Sequence, residues 1–364
     1  MTKPKVVVIG AGAIGLSCAL RLAQRGASVV LIDGEVGPAE GASASLAAAG
    51  MLGPIAESLL EPPNAHPRAM ELALASFDLW RATPQPLRRC ARFDGGLILG
   101  DDNAAVAANA AAYDRKSEAL SRAEIARRFG IETSLDGLYV EDEGVVDAPA
   151  MLRGLAGALA AAGGTLHFDV EANTIEDKPW RRVQCFGGEA FTADFIVVAP
   201  GAWAREKMQE IVPALKHIQP AKGALAAATL KAELKVNVRA KDFYLAARGA
   251  EDVVLGATME FGSFDRRADP AKIDALFAAV ERALPGQVTR AERPAWAGVR
   301  PMSPDWSPMI GPSGPDGVLV VGGHSRNGWL LAPITAEIIA AYVFGEDLPP
   351  LWAAFSPDRF ESIP

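Results

Sequence analysis

From Val6 the chain runs unbroken and β-branched to Ile9, breaks into glycines at 10, 12 and 15, and takes up helical spacing from Leu16 to Arg25. A second apolar run, residues 29–32, closes on Asp33. Short continuous apolar runs predict buried parallel strands, and helical periodicity predicts a crossover helix, so residues 5–33 predict a β-α-β unit. Helical spacing returns at 67–82, 103–116 and 121–129, with the alanines of 104–112 acting by propensity alone. Asp147 with Pro149 just behind it predicts a helix over 150–162, an acidic N-cap followed by proline in the first turn. Strands are predicted at 165–170, 183–186 and 194–199, the last running into a glycine turn at Gly201.

From about residue 216 the pattern changes. Alternating segments at 223–229, 243–247 and 253–257 predict an antiparallel sheet, with one helix at 270–283. Residues 317–324 return to a buried strand and glycine-rich turn, followed by a helix at 333–344. This order predicts an α/β protein with a discontinuous Rossmann-like nucleotide domain, residues 1–80, 141–215 and 306–364. Residues 81–140 and 216–305 would form an inserted, mainly antiparallel α+β substrate domain.

The opening unit carries chemistry. Gly10 permits the tight turn and Gly12 lets backbone approach a pyrophosphate at the helix N-terminus, with Ala13 and Ile14 of the same loop among the expected cofactor contacts. Gly15 lets helix pack on strand, and Asp33, followed by Gly34, is placed to accept hydrogen bonds from a ribose diol. An acid there favours FAD or NAD over NADP. Residues 41–54 are almost all small, which fits either a flexible linker or backbone packed against a flat ligand.

Composition narrows the class. A net charge of −8 and a pI near 5.2 speak against nonspecific nucleic-acid binding. Cys18, Cys90 and Cys185 show no disulfide or zinc spacing, and His66, His167, His217 and His324 stand apart, so a metal centre has no support. Lys3 and Lys5 before an apolar run imitate a signal peptide, but cleavage there would destroy the glycine loop. No segment reaches the roughly 18 uninterrupted apolar residues of a membrane span. A cytoplasmic protein is expected.

Four further motifs carry a resemblance. Ser45 to Pro54 resembles a flavin-contacting loop; Tyr244-Leu ahead of Gly256-Ala-Thr-Met-Glu260 resembles paired substrate-domain strands. Trp296-Ala-Gly-Val-Arg300-Pro301 is similar to a carboxylate-binding segment, and Gly323 to Pro333 to a loop that closes over flavin. Together they resemble, over essentially the whole chain, the flavoprotein family of D-amino acid oxidase, sarcosine oxidase and glycine oxidase, nearest the bacterial glycine oxidase group of thiamine biosynthesis. Leu46 stands where that group often has an aromatic, Pro200 interrupts the usual turn, and the residues between Arg248 and Val253 look irregular for it.

The resemblance implies an FAD-binding domain of Rossmann type. Its cofactor contacts would include Ala44, Ser45, Ala49, Gly50, Met51, Val170, Gly201, His324, Ser325, Arg326, Asn327, Gly328, Trp329 and Leu330. Related sarcosine oxidases attach flavin to a cysteine near the C-terminal part, and none lies beyond 185 here, so FAD should be noncovalent. Arg300 is the implied carboxylate ligand, although a loop ion pair would also suit an arginine before proline. Arg326 would be a second cation or a support for its loop. Tyr244 would shield the pocket mouth, Met259 would line it, and His324 would orient loop or flavin.

The implied reaction is hydride transfer from a small amino acid (glycine, sarcosine or a small D-amino acid) to flavin N5, with O2 as oxidant and H2O2 as product. Alternatives are a flavin dehydrogenase serving a quinone or carrier protein, an NAD-dependent enzyme, and a silent flavin-binding subunit. A homo-oligomer is expected from the resemblance.

Overall fold

A computed structural model describes residues 3–57, 60, 62–100, 103–177, 181–204, 206–231, 233–248 and 252–360. Strand Lys5–Ile9 lies at the centre of a six-stranded sheet, parallel to Ser28–Ile32 on one side and Phe195–Val198 on the other. Thr165–His167 extends one edge and Val318–Gly322 the other, both in parallel, and Met309–Pro312 closes that second edge antiparallel. Helix Ala13–Gln24 follows the first strand directly and packs with Ala148–Ala161 and Gly328–Phe344 over one face. Gly10 has φ +107°, and a Cβ on Gly15 would stand 1.9 Å from the Gly10 carbonyl oxygen. The glycine spacing is therefore a steric requirement of this turn.

Several bounds differ from the pattern. The alanine helix ends at Ala112 rather than 116, and the third strand stops at His167, before Asp169 turns left-handed at φ +58°. Asp147 caps its helix as expected, its Oδ1 accepting from Ala150 N at 3.0 Å, but the helix starts at Ala148. The last long helix begins at Gly328, so Pro333 lies inside it rather than at its start. Proline interrupts the hydrogen-bond ladder because it has no N–H. Here the neighbouring helix Ala69–Arg81 fills the gap: Trp80 Nε1 donates to Trp329 O at 2.9 Å, while Ser76 Oγ donates to Leu330 O at 2.6 Å and accepts from Ile334 N at 3.3 Å.

The second sheet is built on Gln219–Leu230, twelve residues long, paired antiparallel to Trp296–Met302 and to Asp252–Gly256. Tyr244–Ala247, Asn237–Arg239, Gly96–Leu99, Gly137–Val140 and Ser117–Leu120 continue it outward, with one parallel pair at Asn237–Arg239 and Gly96–Leu99. Helix Pro270–Ala283 covers it at its predicted bounds. The fold is thus α/β, a discontinuous Rossmann-like sheet with an inserted, mainly antiparallel α+β part. Positions 249–251 of the irregular segment lie outside the described residues. Among the described residues, no helix is long and apolar enough to cross a membrane.

Candidate functional site

A cleft of about 770 Å³ runs between the two sheets. At one end it is lined by Gly10, Gly12, Ile14, Asp33, Gly34, Val170 and Gly201, the positions predicted for a nucleotide. Asp33 faces it, but its carboxylate also accepts from two backbone amides, Ala11 N of the glycine loop and, at 2.7 Å, Glu35 N of its own turn. Burial pushes that carboxyl up from its ordinary range.

The small-residue segment forms the middle of the wall through Ala44, Ser45, Ala49, Gly50 and Met51. It is no linker. Ser43 caps a short helix, Ala44–Ala47, and Met51–Leu52 pairs with Gly144–Val146. Three side chains from distant elements grip its carbonyls: Trp329 Nε1 on Ser45 O at 3.0 Å, Trp296 Nε1 on Ala47 O at 2.8 Å, and Arg248 Nη2 on Ala48 O at 2.7 Å. Bulky donors outside thus hold the backbone of a loop whose own side chains stay small toward the cleft.

Four predicted cofactor residues do not line this cleft: Ala13, Gly15, Asn327 and Leu330. The Ala13 amide is taken by Ser45 Oγ at 2.9 Å, and Gly15 is pressed on the Gly10 carbonyl. Leu330 is wholly buried, its carbonyl held by Ser76 and Trp80. Asn327 precedes the last helix and faces a separate small pocket. In each case packing or helix phase turns the residue away. His324, Ser325, Arg326, Gly328 and Trp329 do line the cleft. His324 is buried, its Nε2 lies 2.9 Å from Thr335 Oγ1, and burial pushes its pKa down to about 3, so the ring is neutral.

At the far end stand Tyr244, Met259, Arg300 and Arg326. Arg300 projects from the strand Trp296–Met302, opposite Ala221 and diagonal to Gly223, so the loop reading of this residue does not hold. Its Nη1 donates to Thr258 O at 3.2 Å, and among the described residues no carboxylate lies within ion-pair distance of it. Burial pushes the guanidinium pKa down, the neighbouring Tyr244 opposes that, and Arg326 adds to it. Tyr244 pairs across its strand with Gly256, where a Cβ would come within 2.4 Å of the ring. Burial pushes its phenol up.

The structure adds residues that sequence reasoning missed. Glu57 pairs with Arg239 at 2.6 Å and with Arg326 at 3.0 Å, and all three line the cleft. Burial raises the Glu57 carboxyl, but Arg239 and Arg326 outweigh it and hold it below the usual range. Trp306 lines the same end, with Arg326 stacked 5.1 Å from its ring centroid. The one available signal was charge in apolar surroundings: Arg239 next to Val238, and Glu57 after a run of small and apolar residues. Nothing in the sequence pairs them.

Three guanidiniums against one ionised carboxylate make this end of the cleft electropositive, with Arg300 free to take a planar anion in two parallel hydrogen bonds. None of Cys18, Cys90 and Cys185 is among the cleft-lining residues.

The family of FAD-dependent oxidoreductases (DAO) matches residues 5–342. The glycine oxidase of Geobacillus kaustophilus (strain HTA426) is 30% identical over 361 residues, 93% of this chain and 92% of its own. The crystal structure of glycine oxidase from Geobacillus kaustophilus superposes with a TM-score of 0.83 at 28% identity, covering 97% of this chain and 98% of that one. That of iminodiacetate oxidase from Chelativorans sp. BNC1 gives 0.81 at 25% identity, with the same coverage.

Proposed function

Because the chain belongs to the family of FAD-dependent oxidoreductases, we propose that it oxidatively deaminates a small amino acid: glycine, sarcosine or a small D-amino acid. An NAD-dependent enzyme is set aside by that membership. The observation that carries the reading is Arg300, a half-buried guanidinium on the cleft wall that donates to a neutral carbonyl, Thr258 O. A buried cation without a counter-ion is costly unless a ligand brings the charge. An amino-acid carboxylate does so.

The cleft suits FAD by its glycine turn and its small-residue wall, and bound FAD would supply a two-electron acceptor able to pass electrons on to O2 as H2O2. No cysteine among the lining residues supports noncovalent binding. Gly10, Gly12, Ser45 and Gly50 would hold it from one side and the segment from His324 to Trp329 from the other. Arg300 would fix the carboxylate so that Cα is presented at one distance and angle. Tyr244 would close the pocket beside it. The excess positive charge of Arg239, Arg300 and Arg326 favours the neutral amine over the ammonium, and loss of hydride from Cα requires that form. The imino acid then takes up water and gives an oxo acid with ammonia from a primary amine, or with methylamine from sarcosine. The nucleotide part would be residues 1–80, 141–215 and 306–364, and 81–140 with 216–305 would carry the substrate wall. A cytoplasmic location fits the reading.

The test is anaerobic. Purified FAD-loaded protein is mixed with glycine, sarcosine, D-alanine and D-proline while flavin absorbance is followed, then exposed to air and assayed for peroxide. Bleaching by one or more of them, with stoichiometric peroxide in air, is expected. Bleaching without peroxide would make it a dehydrogenase, and no bleaching by any amine would overturn the reading.

A further inference from the structure

Trp306 holds a backbone conformation that bulky side chains avoid. Its φ is +57°, in the left-handed region where a Cβ crowds the following carbonyl. Such a conformation persists only where the surroundings over-determine it. They do here: Ser303 Oγ donates to Ser307 O at 2.7 Å, and Ser307 N donates to Asp305 Oδ1 at 3.1 Å. Arg359 then ties the turn from outside, pairing with Asp305 at 2.9 Å and donating to Ser307 O at 2.9 Å. Glycine would serve such a turn with less strain. The indole must do something glycine could not.

It lines the cleft at the Arg300 end, on the turn that follows the Arg300 strand. Arg326 covers its ring at 5.1 Å and is itself fixed by Glu57, which sets the ring plane. The Phe261 ring lies 6.1 Å from it at 44° and is 59% exposed. A half-buried indole on the cleft wall, with an exposed phenyl ring just outside it and a charged pocket beside it, has the composition of a ligand site, one apolar surface with a few fixed polar groups.

We propose that Trp306 is a specificity-determining residue: its indole, extended by Phe261, stacks on an aryl substituent of the amino acid whose carboxylate Arg300 holds. This rests on the amino-acid oxidase reading above. It adds to that reading a preference, among the amino acids Arg300 holds, for those with an aryl group on the nitrogen or on Cα.

Two measurements on FAD-loaded wild type, Trp306→Gly and Trp306→Leu test it. The first compares kcat/KM for N-benzylglycine and sarcosine, which share a carboxylate and a secondary amine and differ by the ring. The wild type should prefer N-benzylglycine by about tenfold or more, and both variants should lose most of that preference. Trp306→Gly should melt no lower than wild type, since glycine accepts the positive φ. The second needs no turnover: flavin absorbance is titrated with benzoate and with acetate. Wild type should bind benzoate about tenfold more tightly, and the variants should not. An aryl preference equal in wild type and variants, or absent from wild type in both measurements, overturns the proposal. If no amine bleaches the flavin but the benzoate preference disappears with Trp306, the aryl site stands and the oxidase reading falls.

Discussion

Gly223 lies so close beneath Arg300 that a Cβ there would stand 2.1 Å from its Nη1. The two residues are diagonal neighbours on paired antiparallel strands, and the bare backbone of one is the space the other's guanidinium occupies. Gly256, directly opposite Tyr244, makes room for its ring in the same way. Glycine within a strand often marks such a close approach.

Gly223→Ala should therefore displace the tip of Arg300 rather than break the sheet, because the obstructed atom ends a flexible side chain. Displacement of about 1 Å can cost roughly 100-fold in efficiency. The expected outcome is normal FAD content and melting temperature with kcat/KM for the amino acid lowered about 10- to 100-fold. Steady-state kinetics beside a flavin-to-protein absorbance ratio checks it.

Arg300→Ala should also retain FAD, since the residue lies at the far end of the cleft from the nucleotide loop. A charge-assisted pair contributes about 1.5–3 kcal/mol, so KM should rise roughly 10- to 100-fold. Unchanged kinetics would show that the carboxylate binds elsewhere.

Glu57→Ala leaves Arg239 and Arg326 without their shared carboxylate. Removing one partner of a buried ionic group typically costs about 3–5 kcal/mol, because the remaining charge is stranded. A denaturant titration should show a loss of that order. A loss below about 1 kcal/mol would mean that solvent already screens the cluster.

Glu143 lies beneath this cluster, 1% exposed, accepting from Ala56 N at 3.0 Å. Burial pushes its carboxyl up to about 8 from an ordinary 4.5. Between those values the unfolded chain has released a proton that the native chain keeps. The native state binds more protons in that window, so this group's contribution to stability falls as pH rises through it and levels off above about 8. Glu143→Gln should remove the slope and gain stability over wild type at pH 8 more than at pH 5. Melting temperatures of both proteins at the two pH values check it; parallel pH profiles would overturn it.

Local order alone made much of this protein legible. The β-α-β opening, the Asp147 cap, the helix over 270–283 and the switch to alternation near 216 all follow from periodicity and steric rules acting on near neighbours. Arg300, Tyr244, Met259 and Arg326 were picked out by resemblance of their motifs to a known family, and the fold gathers them at one end of the cleft. Their partners were not. Glu57 and Trp306 meet Arg326 because the fold brings together segments far apart in the chain, and Arg239 reaches Glu57 from the inserted sheet. The same is true of Pro333, which reads as a helix start until Ser76 and Trp80 from another helix supply the bonds it lacks.

What the sequence determined by itself was therefore whatever depends on residues a turn or a strand apart: element type, the glycine loop, and the kinds of side chain available for chemistry. Tertiary structure decided which of those side chains face the cleft, which charge balances which, and which carbonyls of the 45–48 segment are gripped by Trp296, Trp329 and Arg248. The physical reason is range. Backbone preference acts within a few residues, whereas ion pairs and close packing act through space between segments whose meeting no local pattern encodes.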